Sequence, residues 1–444
     1  MLSVLSNRTY RHLFLAQLVA LLGTGLLTVA LGLLAYDISG ADAGQVLGTA
    51  LAIKMVAYIG IAPIAGAFVN VLPRRTLLVL LDLVRALVAL SLPFVTEVWQ
   101  IYFLVFLLQS ASAAFTPAFQ ATIPDILPDE KDYTRALSLS RLAYDMESLL
   151  SPLFAAMLLT VISFNGLFAG TAAGFLGSAL LVVSVRLPAL QVAASTAGGL
   201  LSRTTRGIRT YIATPRLVGL LAVTLSAAAA SAMVIVNTIV IVREDLALGQ
   251  TMYALALGAY GLGSMLAAFA LTPMLERLSE RSLMIGASMM LSIFLLGLAL
   301  AGSGFGLSLP LLAAGWFLLG SAYSLCVTPS GRLLRKSGPS EERPSLFAAQ
   351  FALSHACWLV AYPLAGWLGS AFGQNAALAG MGLLSLVGFL LALCLWPAAD
   401  DERAPHSHEN LPNDHPHIIA DHRSGSPDHI FHIDELHKKW PKPK

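Results

Sequence analysis

Eight of the ten histidines in this chain lie within its last forty residues, where acidic side chains separate them. Neutral imidazole is the commonest protein ligand for divalent transition metals, and neighbouring carboxylates add negative charge. Residues 398–444 contain neither cysteine nor methionine, which disfavours soft ions such as Cu(I) and favours nickel, cobalt, zinc or Cu(II). The composition therefore predicts a segment that binds several metal ions loosely. The eight are His406, His408, His415, His417, His422, His429, His432 and His437.

The spacing of these histidines favours metal binding over a purification tag. A cloning tag would be an unbroken run of histidines, whereas these are spaced and interleaved with acids. Three pairs bring two imidazoles within reach of one ion even in a flexible chain: His406 with His408, His415 with His417, and His429 with His432. A disordered polar tail with incidental histidines stays open as an alternative, because charged and proline-rich segments bury too little apolar surface to fold. We predict that residues 398–444 are disordered.

A second set of reactive side chains lies inside long apolar stretches, where a charge costs several kcal/mol and so suggests a function. Carboxylate, imidazole and thiolate all bind divalent transition metals, and an ammonium group can balance a carboxylate when no metal is bound. The carboxylates of Asp145 and Glu147 are two residues apart, which is about 200° around a helix, so only one of them can face a common cavity. The sequence therefore predicts a transport and coupling site formed by Lys54, Arg141, Asp145, Glu147, His355 and Cys357.

The elements that must position these residues are long apolar segments. Hydrophobic residues make up 57% of the chain and charged residues 12%, and the mean hydropathy is +0.74. This composition excludes a soluble enzyme and indicates an all-α integral membrane protein, whose spans each need about 20 apolar residues. We expect twelve transmembrane helices, no cleaved signal peptide and no disulfide framework. The helices are predicted at roughly 11–36, 44–70, 76–96, 100–122, 136–162, 166–186, 217–242, 250–275, 282–302, 307–329, 345–369 and 374–397.

The positions of the lysines and arginines predict the orientation of the chain in the membrane. If the spans alternate, 23 of the 27 lysines and arginines fall on the side of the N-terminus. Cytoplasmic loops carry such an excess of lysine and arginine. Both termini, and with them the histidine-rich tail, are therefore expected in the cytoplasm, and the arginines between the sixth and seventh spans are interpreted as anchors rather than as a nucleic-acid site.

The chain also repeats itself. Pro117 and Pro329 each follow a threonine at the end of a span, and acidic pairs begin twelve residues later at Asp129 and Glu341, so the offset is 212 in both cases. Two parallel six-helix halves are the architecture of one large class of secondary transporters, with the substrate near the midplane. The predicted divisions are a first bundle at 1–186, a cytoplasmic connecting loop at 187–216, a second bundle at 217–397 and the tail at 398–444.

The loop between the second and third spans resembles the hallmark loop of the major facilitator superfamily. That loop carries a glycine, an acid and a basic pair, and the residues here are Gly66, Asn70, Pro73, Arg74 and Arg75. Asn70 stands where the family usually carries aspartate, which weakens the charge contacts that such a gating loop makes. The resemblance implies the major facilitator fold over residues 1–397.

Short segments of the chain resemble particular families of exporters and so indicate which substrate is transported. The segments 82–86, 123–125 and 135–137 are similar to proton-driven drug and siderophore exporters. The tail, with segments 140–145 and 354–358, resembles nickel-resistance permeases of the NreB type. This implies a proton antiporter, without a cofactor and monomeric, that exports nickel or another divalent metal across the bacterial inner membrane. Two alternatives stay open: a drug or siderophore exporter with a regulatory metal-binding tail, and a metal sensor or buffer without transport. No ATP-binding loop motif is present.

Overall fold

The computed structural model describes residues 2–68, 73–185, 187, 200–338, 343–398 and 440. Within these ranges the regular structure is helical, and no strand is found. The α-helices are α1 (Arg8–Ser39), α2 (Ala43–Phe68), α3 (Arg74–Ser91), α4 (Val98–Ile126), α5 (Glu130–Leu158), α6 (Phe164–Val183), α7 (Leu200–Ala213), α8 (Pro215–Val240), α9 (Gln250–Leu275), α10 (Glu280–Phe305), α11 (Leu309–Val327), α12 (Ser330–Lys336), α13 (Arg343–Phe372) and α14 (Gln374–Leu395).

Ten helical stretches of the described residues are long and apolar enough to cross a membrane. The first of them, Arg8–Ile61, contains α1 and most of α2, and α5 does not belong to the ten. The charged and polar residues of α5, which include Arg141, Asp145 and Glu147, lower its hydropathy. Each predicted span nevertheless coincides with a long helix to within several residues at either end. The number twelve and the cytoplasmic side of both termini stay predictions.

The helices form two groups, α1–α6 and α8–α14 with α7. Small residues allow close approach of helix backbones within each group. In the first group, the hydroxyl of Thr171 on α6 donates to the carbonyl of Gly23 on α1 at 2.9 Å. In the second group, a Cβ on Gly320 of α11 would lie 1.9 Å from the carbonyl oxygen of Tyr260 on α9. Glycine is therefore required where α9 and α11 cross.

The two groups meet chiefly where α2 packs on α13 and where α5 packs on α9. We call the end of the bundle at which α1 ends and α2 begins the distal end, and the end near residues 8 and 395 the proximal end. At the distal end a Cβ on Gly366 of α13 would lie 2.3 Å from the carbonyl oxygen of Gly44 on α2. The hydroxyl of Ser370 also donates to Gln45 Oε1 at 3.3 Å. The groups are thus in tight contact at the distal end.

A short segment after α8 adds to this contact. Residues Ile241–Asp245 form a π-helical turn that ends the seventh predicted span. Tyr36 at the end of α1 donates its hydroxyl to Glu244 Oε2 at 2.8 Å, and the Arg243 guanidinium lies 5.1 Å from the centre of the Tyr36 ring. We call Tyr36, Arg243 and Glu244 the distal latch, because they join the first group of helices to the second.

The connection predicted as a loop contains a helix that the sequence did not predict. In α7, arginines at positions 203, 206 and 209 repeat every three residues, while Ile208, Tyr211 and Ile212 are apolar, as in an amphipathic helix. The Tyr211 hydroxyl donates to Gln350 of α13, and Gly207 lies against the backbone of Ser345. Packing on α13 therefore stabilises α7. The eight tail histidines and Asn70 lie outside the described residues.

Candidate functional site

Lys54 lies inside the first group of helices, about 17 Å along α2 from its distal start at 1.5 Å per residue. Its side chain borders a cavity of about 20 Å³, which is room for one water molecule. The polar side chains that line this cavity with Lys54 are Thr24 and Thr28 of α1 and Gln109 of α4. A lysine at this depth is therefore surrounded by groups that can hydrogen-bond to water or to a bound molecule.

Glu147 of α5 lies beside Gly25 of α1. A Cβ on Gly25 would lie 1.9 Å from Oγ of Ser151 and 3.2 Å from Oε1 of Glu147, so a glycine makes room for both of these α5 side chains. Lys54 shares its cavity with Thr24 and Thr28 of the same turn of α1. The two opposite charges therefore approach one turn of α1. The side chains of Asp145 and Arg141, the other charged residues predicted on this helix, lie outside the described side chains.

His355 of α13 reaches the same region from the second group of helices. Its ring stacks on Tyr58 of α2, with the centroids 5.6 Å apart and the planes within 10°. Tyr58 is one helical turn beyond Lys54, whose Nζ lies 5.9 Å from the centre of the tyrosine ring. Nδ1 of His355 lies 2.7 Å from the carbonyl oxygen of Phe351 and donates to it, which leaves Nε2 as the acceptor of a neutral ring.

We call Lys54, Tyr58, Glu147 and His355 the Lys54 cluster. Its members come from α2, α5 and α13, so the cluster spans both groups of helices. Tyr58 connects Lys54 to His355, because its ring stacks on the imidazole and lies 5.9 Å from Nζ of Lys54. Tyr58 was missed in the sequence, although its position four residues after Lys54 places both on one helix face.

Cys357, which the internal repeat predicts at the depth of Asp145, faces other neighbours than His355 does, and its role in transport stays a prediction. It lies near Tyr211 of α7, and the pKa of Tyr211 is raised by burial and, to a smaller degree, by the Cys357 thiol. Gln350, seven residues earlier on α13, binds the same tyrosine. His355 and Cys357 are about 200° apart around the helix and so face different neighbours. The repeat predicted the depth of Cys357 but not its direction.

The described side chains include no group of three or more histidine, cysteine, aspartate or glutamate residues that could hold a metal ion. His355 stacks on Tyr58, and Nζ of Lys54 also lies near the Tyr58 ring, so an ammonium group is close to this candidate ligand. A cation near a ligand repels a divalent metal, since like charges interact strongly in a medium of low dielectric constant. The four-ligand metal site predicted at the midplane stays a prediction, because the side chain of Asp145 lies outside the described ones.

Two other ionic contacts brace the first group. Arg74 of the predicted gating loop pairs with Asp125 at the end of α4, and Arg75 donates to the carbonyl of Val183 on α6. Gly66 lies in the last turn of α2. The loop thus connects three neighbouring helices, although Asn70 itself is not described.

The second contact is the ion pair between Asp82 and Arg85 on α3, both buried. The Arg85 guanidinium lies 4.1 Å from the ring centre of Phe115 and 4.5 Å from that of Phe175. Two aromatic faces and a carboxylate thus surround the cation, which is how an arginine is held in an apolar interior. We assign this pair a structural role.

The comparison with known families agrees with the architecture. The family model described as Major Facilitator Superfamily matches residues 13–236 and again residues 219–427. YvqJ of Bacillus subtilis (strain 168), an uncharacterized MFS-type transporter, is 24% identical over 415 residues, which cover 90% of this chain and 94% of that protein. Macrolide efflux protein A of Streptococcus pyogenes is 26% identical over 179 residues, which cover 39% of this chain and 44% of that protein.

Solved structures show the same fold. The nucleoside transporter NupG matches with a TM-score of 0.68 at 13% identity, covering 88% of this chain and all of that one. A bacterial homolog to the human lysosomal transporter Spinster also matches with a TM-score of 0.68, at 12% identity, covering 87% of this chain and 96% of that one. The predicted all-helical transporter fold is confirmed.

Proposed function

The chain belongs to the Major Facilitator Superfamily, and we propose that it is a proton-driven exporter whose coupling element is the pair Lys54 and Glu147. The chain is a multi-pass membrane protein and a transporter rather than an enzyme. The observation that carries the proposal is that these two opposite charges approach one turn of α1, with Lys54 beside Thr24 and Thr28 and Glu147 beside Gly25. A buried charge that loses its partner is strongly destabilised. Protonation of Glu147 therefore changes the state that Lys54 prefers.

The pair can couple protons to transport in the following way. When Glu147 is ionised, it compensates the charge of Lys54, and both stay within the first group of helices. When Glu147 takes up a proton, the ammonium group of Lys54 is left without that compensation and must find it in water, in a bound molecule or at His355. Since His355 belongs to the second group, the proton alters a contact between the two groups.

We propose an organic molecule as the cargo. The Tyr58–His355 stack offers an aromatic surface, and Lys54, Gln109 and the two threonines of the cavity offer hydrogen bonds beside it. Pockets for organic ligands combine apolar walls with a few such polar groups. The likeness to a macrolide efflux protein supports export of an organic molecule. The transporter would act in the bacterial inner membrane, with both termini in the cytoplasm.

Nickel or another divalent metal is the second candidate, and the observation that favours it is the histidine-rich tail. Eight imidazoles among carboxylates can raise the local concentration of metal ions near the transporter. The Lys54 cluster offers such an ion only Glu147 and His355 among the described side chains. If metal is the cargo, further ligands must come from residues such as Asp145, whose side chain is not described.

Export assays in everted vesicles with an imposed proton gradient test both the coupling and the cargo. A macrolide, a set of aromatic dyes, and the chlorides of nickel, cobalt and zinc would be supplied separately. We expect gradient-driven uptake of at least one organic compound, and loss of that uptake in Glu147→Gln at unchanged protein level. Asp132→Asn is the matched control, because Asp132 lies on the same helix but pairs with Arg135 at the surface.

The outcomes separate the proposals. Gradient-driven uptake of nickel, with none of any organic compound, would replace the organic cargo by the metal. Full transport in Glu147→Gln and in Lys54→Met would show that the pair does not couple protons, whatever the cargo. In that case the polar groups of other helices come next, although Gln17 already accepts from Ser140 and Asn237 donates to the Ala365 carbonyl.

A further inference from the structure

Trp440, four residues before the end of the chain, contacts the second group of helices. The centre of its ring lies 4.9 Å from Cζ of Arg216. Arg216 is the second residue of α8 and is only 2% exposed. A guanidinium within about 6 Å of an indole ring is attracted by the negative face of the ring, and tryptophan gives the strongest contact of this kind. The end of the tail therefore has a specific partner at the proximal end.

The tail also begins on the same turn of α8. Trp396, directly after α14, is 1% exposed, and a Cβ on Gly219 would lie 2.5 Å from the Cβ of Trp396. Arg281 of α10 donates to the carbonyl of Trp396 at 3.1 Å. Gly219 and Arg216 are three residues apart and lie on one face of α8. Trp396 and Trp440, which flank the eight tail histidines in the sequence, thus both contact one turn of α8.

The position of Arg216 explains why an aromatic ring suits this turn. The first turn of a helix carries partial positive charge from its backbone N–H groups, so it is an unfavourable place for an arginine. A buried guanidinium there is stabilised by a group that supplies negative potential without bringing a charge of its own. The indole face of Trp440 does so.

We propose that the first turn of α8 is a binding site for the end of this chain, and that Trp440 is its ligand. Because the tail is covalently attached, its local concentration at Arg216 is high, which favours the contact. The anchor holds Trp440 at the proximal end of the second group of helices. This proposal holds for either cargo, since it depends only on Arg216 and Trp440.

Distances between two spin labels on the full-length protein test the anchor. The labels would be placed at Arg277→Cys, which is exposed at the proximal end, and at Lys442→Cys, with Cys326, Cys357 and Cys394 replaced by alanine. We expect a narrow distance distribution in this background. In Trp440→Ala it should broaden, because an unanchored polypeptide of this length spans roughly 35 Å root-mean-square. Trp440→Phe should broaden it less.

Two further variants identify the cause. Lys439→Ala is the matched control in the tail, and it should keep the narrow distribution. Arg216→Met removes the cation and should broaden the distribution as Trp440→Ala does. A broad distribution in the starting background would overturn the proposal, and so would a narrow one that persists in Trp440→Ala. If Arg216→Met does not fold, Trp440→Ala and Trp440→Phe still decide the outcome.

Discussion

The distal latch allows a quantitative prediction about the balance between conformations of the transporter. Tyr36 makes two contacts across the groups: its hydroxyl donates to Glu244, and its ring lies against the Arg243 guanidinium. Tyr36→Phe removes the hydrogen bond and keeps the ring, whereas Tyr36→Leu removes both contacts. Comparison of the two substitutions therefore separates the hydrogen bond from the cation–π contact.

The geometry of these contacts sets the expected size of the shift in the conformational equilibrium. A hydrogen bond to a charged group contributes roughly 1.5–3 kcal/mol when it is buried, and we take about 1 kcal/mol for this exposed one. An exposed cation–π contact adds about 0.5–1 kcal/mol. Since about 1.4 kcal/mol corresponds to a factor of ten, Tyr36→Phe should shift the equilibrium about fivefold towards the state that is open at the distal end. Tyr36→Leu should shift it roughly ten- to thirtyfold.

Spin labels at Asp42→Cys and Ser303→Cys would measure this shift, because both positions are exposed at the distal end and belong to different groups. The population with the longer distance between the two labels should be smallest with the unchanged latch, larger in Tyr36→Phe and largest in Tyr36→Leu. Asp37→Asn alters a neighbouring exposed charge and is the control, so it should leave the populations as they were.

The reasoning would be refuted if Tyr36→Phe left the populations unchanged. A second check uses Glu244→Gln with Tyr36→Phe. If both act on the same hydrogen bond, the double variant should shift the equilibrium no further than the larger single effect. Additive shifts would mean that Tyr36 and Glu244 act through separate contacts.

The tail and the helix crossings lead to three more predictions. Truncation after Pro397 should leave a protein that folds and reaches the membrane, because the helices contain their own packing. Expression and size-exclusion chromatography would measure this. If vesicles with the truncated protein showed no transport at all, the tail would instead belong to the transport pathway. The isolated segment 398–444 should bind several Ni²⁺ or Zn²⁺ ions in calorimetric titration at neutral pH. This binding should be lost as the pH falls through about 6.5 towards 5, because imidazoles that take up protons release metal. Gly320→Ala should lower the thermal stability in detergent, because its Cβ would meet the Tyr260 carbonyl, whereas Gly297→Ala, which faces open space, should not.

The helices could be predicted closely because the bilayer sets their length and leaves the backbone no alternative to helix. The predicted span at 250–275 coincides with α9. The helix α7 was missed because its arginines resemble the charged residues of a loop, and its amphipathic face gains stability from packing, chiefly on α13. A segment of this kind is stabilised by tertiary packing rather than by its own propensity.

The site could be predicted only in part. Charges at membrane depth singled out Lys54, Glu147 and His355 as candidates, because such charges are costly, and their role in transport stays a prediction. The grouping of His355 with Cys357 also stays a prediction, although the two residues face different neighbours of α13. An internal repeat fixes how far along a helix a residue lies, but the rotation of the helix depends on packing with its neighbours. The stack of His355 on Tyr58 joins residues far apart in sequence, and no sequence pattern records it.

We call the close contact between Gly44 and Gly366 the distal seal. The arrangement of α2 and α13 explains how the Lys54 cluster and the distal seal can act together. α2 carries Gly44 at the seal and, about 21 Å further along, Tyr58 in the cluster. α13 carries Gly366 at the seal and His355 in the cluster. A helix moves largely as a rigid body, so separation of Gly44 from Gly366 must tilt or break the Tyr58–His355 stack. In the coupling that we propose, a proton on Glu147 would change the electric field around Lys54, one helical turn from Tyr58, and so would bias the Tyr58–His355 contact. Such coupling would need no relay of side chains along the membrane, because α2 and α13 share both contacts.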